Sequence, residues 1–256
     1  MFRSSLFFGV VILFLSCADK SSSSQNLPSA SDEAIKNVVT ESMETLDSLS
    51  SIVDTSQAVS NLIDVTSLNK EIQVELKYTT ADNFMRMQLY TKTNKAYLQK
   101  DVAERLAKVQ SALSKKKPGY RLLIYDALRP VSVQRKMWNA LDSIPPSRRG
   151  KFVSNPDKRS LHNMGAAVDL TIIDDNGNPL DMGAGFDDIR EIAYPSLEEK
   201  YLNLGELKPK QVENRLLLRR LMQAQGFRQL ETEWWHFNAC SRIDALKKYK
   251  VLHEEF

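Results

Sequence analysis

The chain has little cysteine and little histidine. Two cysteines in 256 residues leave no material for a disulfide framework or a cysteine-rich metal module. Three histidines, His162, His236 and His253, mean that any transition-metal site must combine those few imidazoles with carboxylates. Nine glycines and nine prolines are too few for a collagen-like or wholly disordered chain, and 42% hydrophobic residues are enough for a packed core. A large excess of either charge is also missing. The 35 basic and 32 acidic residues leave a net +3, so charge does not point to a nucleic-acid partner. Finally, no apolar run approaches the ~20 residues of a membrane-spanning helix.

The longest such run, Leu6 to Leu15, is ten residues and follows Arg3 and the amino terminus, the pattern of an export signal. It ends in Phe14-Leu15-Ser16-Cys17, then Ala18-Asp19-Lys20 and four serines. This resembles the lipobox of bacterial lipoproteins, with Phe14 where leucine is more usual. The resemblance implies that residues 1–17 are a signal and that Cys17 is acylated. The chain would then be exported and lipid-anchored in a bacterial cell envelope, at a periplasmic or outer-membrane face. An ordinary cleaved signal or an uncleaved anchor is the alternative. Residues 18–34, rich in Ser, Asn, Asp and Pro, read as a flexible tether. Over 35–66, apolar residues from Ile35 to Ile63 recur at helical spacing among many serines and threonines. That predicts a stalk helix, or a helix docked on the domain or a partner. The net charge divides unevenly, −6 over 18–66 (2 basic, 8 acidic) and +8 over 67–256 (32 basic, 24 acidic). The positive share therefore lies on the domain, which suits work beside anionic wall and lipid.

Residues 67–256 carry the mixed signals of an α+β domain. Leu98, Val102, Leu106, Val109 and Leu113 form a helical stripe that ends near Lys115-Lys116-Lys117-Pro118-Gly119. Tyr120–Tyr125 reads as a buried strand, Val133–Leu141 as a helix and Ala166–Ile173 as a strand before a hairpin turn of Asp, Asn and Gly. Val212–Gln225 predicts an amphipathic helix capped by Gly226, and Phe227–Phe237 an interrupted strand.

Two histidines sit in informative settings. His162 precedes Gly165-Ala166-Ala167 and a strand carrying Asp169, and small residues there suit a close approach of backbone to whatever the histidine holds. Glu233-Trp234-Trp235-His236 supplies a second imidazole and a separate glutamate. A catalytic zinc typically takes three N/O ligands and leaves its fourth position to water, on which a nearby carboxylate can act as general base. His162, Asp169, His236 and Glu233 complete such a set, with one zinc per chain. His253, three residues from the carboxyl terminus, reads as a solvated tail residue. Trp234 and Trp235 read as core packing, Cys240 as a buried free thiol, and Arg148-Arg149 as solvent-exposed.

The pattern Ser-x-His-x-x-Gly-x-Ala-x-Asp with a later Glu-x-x-His resembles the lysostaphin-type and D-Ala-D-Ala metallopeptidases. Within them it is most similar to the D-alanyl-D-alanine dipeptidases of the VanX type. Lys77-Tyr78-Thr79-Thr80-Ala81-Asp82-Asn83-Phe84, Tyr125-Asp126-Ala127-Leu128-Arg129-Pro130, His162 to Thr171, Met182-Gly183-Ala184-Gly185-Phe186-Asp187 and Glu233 to His236 occur in family order across roughly residues 62–245. The resemblance implies a small antiparallel sheet with flanking helices around a single zinc site. It also implies His162, Asp169 and His236 as ligands, Glu233 as acid/base and Arg129 as transition-state stabiliser. Tyr78 and Asp187 would lie near a substrate ammonium, and Ser160 near the dipeptide's other end. Asn163-Met164 stands where family members often carry Ser-Arg, a change that bears on the pocket rather than the metal. The implied substrate is a small D-amino-acid dipeptide. The alternatives are a D,D- or L,D-carboxypeptidase on wall peptides, or a zinc-binding envelope lipoprotein without turnover.

Overall fold

A computed structural model describes residues 36–37, 39–41 and 59–256. The expected signal, Cys17 and the 18–34 tether lie outside the described residues. The chain divides into two units, 1–47 and 48–256. In the first, residues 36, 37 and 39–41 are helical, and the Thr40 hydroxyl donates to the Lys36 carbonyl at 2.8 Å.

The second unit is α+β. Its main sheet has five strands in the order β2-β4-β5-β7-β6, where β2 is Gln73–Val74, β4 Arg121–Asp126, β5 Ala167–Ile173, β6 Arg228–Leu230 and β7 Glu233–Asn238. The pairings are antiparallel except the short β2, which runs parallel to β4. All seven residues of β5 are buried, as a central strand covered on both faces requires. A separate two-stranded ribbon pairs β1, Leu62–Asp64, with β3, Tyr97–Gln99. The helical period expected through Ile63 is therefore wrong at its end. Three residues of strand are bonded into the domain ahead of residue 67, with the Lys100 N–H donating to the Asn61 carbonyl. Leu98, expected in the next helix, belongs to β3.

Helix Lys100–Lys116 buries Val102, Leu106, Val109 and Leu113 at the spacing that lines one helical face. Its buried Gln110 accepts from Leu122 N–H at 2.7 Å and donates to the Tyr120 carbonyl, which fastens the helix to the entry of β4. Helix Pro209–Ala224 starts on a proline, where no N–H is needed. Its inward face is polar for two turns. Gln211 and Asn214 hold Asp181, and the fully buried Arg215 donates to the carbonyls of Met182 and Ile192 at 2.7 and 2.9 Å. A smaller core of Tyr78, Leu89, Tyr90, Val133, Met137 and Val153 lies under helix Val131–Ala140. Arg149, expected in solvent, is half-buried and donates to the carbonyls of Ile144 and Trp138. Cys240 is likewise half-buried.

Gly165 ends the helical turn Leu161–Met164 with φ +61°, a left-handed conformation that glycine adopts without strain. Its close approach is to the β1–β3 ribbon, where a Cβ would meet Leu62 Cδ2 at 3.1 Å and Gln99 N at 3.2 Å. The small residue thus serves the ribbon rather than the space beside His162. Gly165→Ala should cost about 1–3 kcal/mol, measured by denaturant unfolding. Gly177→Ala, with φ +86° and nothing within 4 Å, should cost less. Equal losses would show that the close approach does not matter.

Candidate metal centre and cleft

The centre is assembled across the sheet. A bulge between Ile124 and Asp126 in β4 brings Asp126 opposite Asp169 of β5, and Asp169 in turn pairs with His236 of β7. Without that extra residue Asp126 would face the other side of the sheet. His162 arrives from the helical turn before β5. Ligand atoms of His162, Asp169 and His236 all lie within 4.8 Å of one another. His236 Nδ1 is 2.9 Å from Asp169 Oδ1, and His162 Nε2 is 3.4 Å from Asp169 Oδ2.

Each imidazole is oriented by a partner on its far side. His162 Nδ1 is 2.6 Å from the Ala127 carbonyl, which can only accept, so this nitrogen carries the proton and Nε2 the lone pair. His236 Nε2 faces Asn238 Oδ1 at 3.0 Å, which leaves Nδ1 as the free nitrogen. The two free nitrogens are 3.2 Å apart beside a buried carboxylate. Three electron-rich atoms so placed repel one another unless a cation sits between them. Burial would lower the pKa of His236, but its hydrogen bond to Asp169 prevails and holds it at about 9, so a proton takes that role where a metal does not. Two imidazoles and a carboxylate suit a borderline transition metal far better than calcium or magnesium.

Arg129 stands beside this triad. Its Nε and Nη2 both donate to Asp126 Oδ2, at 2.7 and 2.5 Å, and Nη2 is 3.6 Å from Asp169 Oδ2. Asp126 is fully buried, and its other oxygen accepts from Tyr90 Oη and Ala127 N–H. The acid therefore aims the guanidinium, a role not read from sequence although it lies three residues before the arginine. Glu233, at the start of β7, has its Oε2 3.8 Å from His236 Nδ1 and a third of its side chain open to a cleft. Burial raises its pKa, while His236 draws it back down.

That cleft, about 330 Å³, is lined by Glu233, Asp187, Trp235 and Phe152 among others. Asp187 sits at φ +60°, a strained conformation for an aspartate. It accepts a 2.9 Å hydrogen bond from the Tyr78 hydroxyl. Burial and that carboxylate hold the phenol well above 10, so it remains a donor. Burial also raises the Asp187 pKa well above its ordinary value, the Tyr78 bond acting against it. Tyr78 and Asp187, far apart in sequence, are thus brought together. Ser160 is not. Its hydroxyl donates to Gln134 Oε1 at 2.8 Å, and it does not line the cleft. Gln134, not read from the sequence, and Asn163, noted there as a departure from the family pattern, are both buried and tie this region together. Asn163 donates to the Arg129 carbonyl and to Gln134 Oε1. Trp234 is core, with its indole donating to Ala184, whereas Trp235 packs edge-on to Phe186 and also lines the cleft.

A sequence profile of the D-ala-D-ala dipeptidase family matches residues 58–255. The D-alanyl-D-alanine dipeptidase of Escherichia coli (strain K12) is 34% identical over 198 residues, which cover 76% of this chain and 91% of that protein. The D-alanyl-D-alanine dipeptidase of Synechocystis sp. is 28% identical over 58% of this chain and 71% of its own. That of Enterococcus faecalis is 28% identical over 65% and 85%.

Because the folded-state pKa of Asp187 is raised, its protonated form stabilises the fold fully below ~4, the pKa of an unfolded aspartate. That contribution is lost as pH rises through the folded value. In chelator-treated protein, Asp187→Asn should therefore raise Tm near neutral pH, with a gain that shrinks toward pH ~4. A gain independent of pH would assign the effect to relief of the backbone strain instead.

Proposed function

The chain belongs to the D-ala-D-ala dipeptidase family, and on that premise we propose that it hydrolyses D-alanyl-D-alanine or a similar small D,D-dipeptide in cell-wall peptide metabolism. One observation carries this reading. A half-buried carboxylate, Asp187, lines the same cleft as Glu233 and makes no ion pair among the described residues. An endopeptidase has no use for such a group. A dipeptidase must recognise a free ammonium at a fixed distance from the bond it cuts.

One zinc ion held by His162, Asp169 and His236 would supply the Lewis acidity that makes water a nucleophile near neutral pH and polarises the scissile carbonyl. Glu233 takes the proton of the attacking water and passes it to the leaving amine, a task suited to a carboxyl with a raised pKa. Arg129, permanently charged and aimed by Asp126, donates to the oxyanion that develops on the carbonyl oxygen. Asp187 receives the substrate ammonium, whose charge favours the ionised form that burial alone disfavours. The Tyr78 hydroxyl keeps the carboxylate in place.

Purified protein with zinc should cleave D-Ala-D-Ala and spare its N-acetylated form. Chelation should abolish turnover, and Glu233→Gln should lower kcat by about 10²–10⁴-fold. Cleavage of the N-blocked substrate at an equal or higher rate would replace the dipeptidase with a carboxypeptidase. Full activity in Glu233→Gln would remove the general base.

The location of the enzyme is a separate proposal. The Leu6–Leu15 run and Cys17 support export and lipid anchoring in the bacterial envelope. Cys17→Ala expressed as the full chain should leave the membrane fraction. Retention there would exclude the lipid as the tether.

A further inference from the structure

Helix Arg242–Lys248 is firmly seated and yet leaves its larger apolar residues in water. The Ser241 hydroxyl caps its start by accepting from Asp244 N–H at 3.1 Å. At its far end Lys248 Nζ and Tyr249 Oη both donate to Asp101 Oδ2, at 2.6 and 2.8 Å. Ala245 is fully buried beneath it. Ile243 and Leu246, three positions apart and so on one face, are nevertheless 68% and 45% exposed. Ile243 is the most open large apolar side chain among the described residues. A fixed helix that holds two such side chains in water marks a surface that something else covers.

The surroundings say what kind of surface that is. Residues 241–250 hold Arg242, Lys247, Lys248 and Lys250 against one acid, Asp244. Arg242 donates to the Lys158 carbonyl, which leaves its charge unneutralised, and neither it nor Lys247 makes an ion pair among the described residues. Lys247 lies four positions from Ile243, so cation and apolar side chains share a face. Asn61 lines a cavity with Lys248 and Tyr249, and Val59 packs against Leu252, so the chain enters the domain beside this helix. A seven-residue helix is much smaller than the roughly 20–30 residues that each partner gives to a stable protein interface, whereas a bilayer offers apolar depth and negative charge together. We propose that helix Arg242–Lys248 docks on an anionic phospholipid surface. Ile243 and Leu246 enter the headgroup layer, and Arg242 and Lys247 meet the phosphates. No residue of the helix lines the cleft of Glu233 and Asp187, so the docked protein keeps that cleft free. The contact is independent of dipeptide hydrolysis and of whether Cys17 carries a lipid.

The test follows amide hydrogen exchange over residues 241–250 in the full chain, so that any hold of the amino-terminal segment on a vesicle does not count. Exchange should slow on vesicles of phosphatidylcholine with about 30% phosphatidylglycerol and stay as in solution on phosphatidylcholine alone. Arg242→Gln/Lys247→Gln should lower the docking constant by about 30-fold, roughly fivefold for each basic residue, and remove the slowing. Ile243→Ser/Leu246→Ser should remove it too. Lys115→Gln/Lys116→Gln, which discharges an exposed basic helix end elsewhere, should not. No slowing on the anionic vesicles, equal slowing on both, or slowing that survives in Ile243→Ser/Leu246→Ser overturns the proposal. So does slowing without vesicles that grows with protein concentration, which would assign the face to a second copy of the chain. The substituted side chains are exposed, so the variants should fold, and unchanged Tm values would verify it. None of them touches the cleft, so a failure here leaves the dipeptidase reading standing.

Discussion

The charge of Asp169, set in the middle strand of the sheet, is the constraint around which the rest of the site is arranged. The strand is buried along its whole length, and a lone carboxylate there would be expelled or protonated. Instead, although burial pushes its pKa up, the two imidazoles beside it drive that pKa far below the usual carboxylate range. The neighbours of that charge come from three directions: His236 on β7, His162 in the turn before β5, and Arg129 in the loop after β4, which Asp126 aims. Each of those segments must be in register for the charge to be tolerated. The fold and the metal centre are therefore one electrostatic problem with one solution.

The arrangement also separates two jobs. On the proposed reading, the groups assigned to the reacting bond stand on the sheet or immediately beside it, where strand pairing fixes them. Those assigned to the rest of the substrate stand on loops held by buried side chains. Arg215 and Gln134 are the principal holders. The first spans the carbonyls of Met182 and Ile192, which flank Asp187, and the second joins Ser154, Ser160 and Asn163. Both use polar atoms inside the protein, where an unpaired group is costly, so the loops have little freedom to drift.

Much of this was legible in the sequence. Paired spacing singled out His162, Asp169, His236 and Glu233, which the fold brings close together, and the main helices and strands followed from apolar periods. The failures have physical causes. Leu62–Asp64 was absorbed into a helical pattern because three residues are too few to show alternation. Arg149 sits among Pro, Ser and Gly, a context that predicts solvent, yet its guanidinium satisfies carbonyls of a neighbouring turn. Gln134 and Asn163 act through partners brought close only by folding, whereas Asp126 and Asn238 stand three and two positions from the residues they orient, a spacing too common to announce a role. The Ser160 hydroxyl is bonded to Gln134, which lies 26 positions away in the chain. Motif identity conveys which atoms are present, not how their hydrogen bonds are spent.

The polar inward face of helix Pro209–Ala224 has one further consequence. It holds both ends of the segment bearing Asp187, while the sheet independently holds Asp169, His236 and Glu233. On the proposed reading, two rigid frames, joined through the core, would stand at opposite ends of the substrate like the jaws of a calliper. The gap between them is a property of how that helix seats on the domain, not of any group that reacts. On that reading, the length of substrate accepted would depend on helix seating while the reacting groups stay in place.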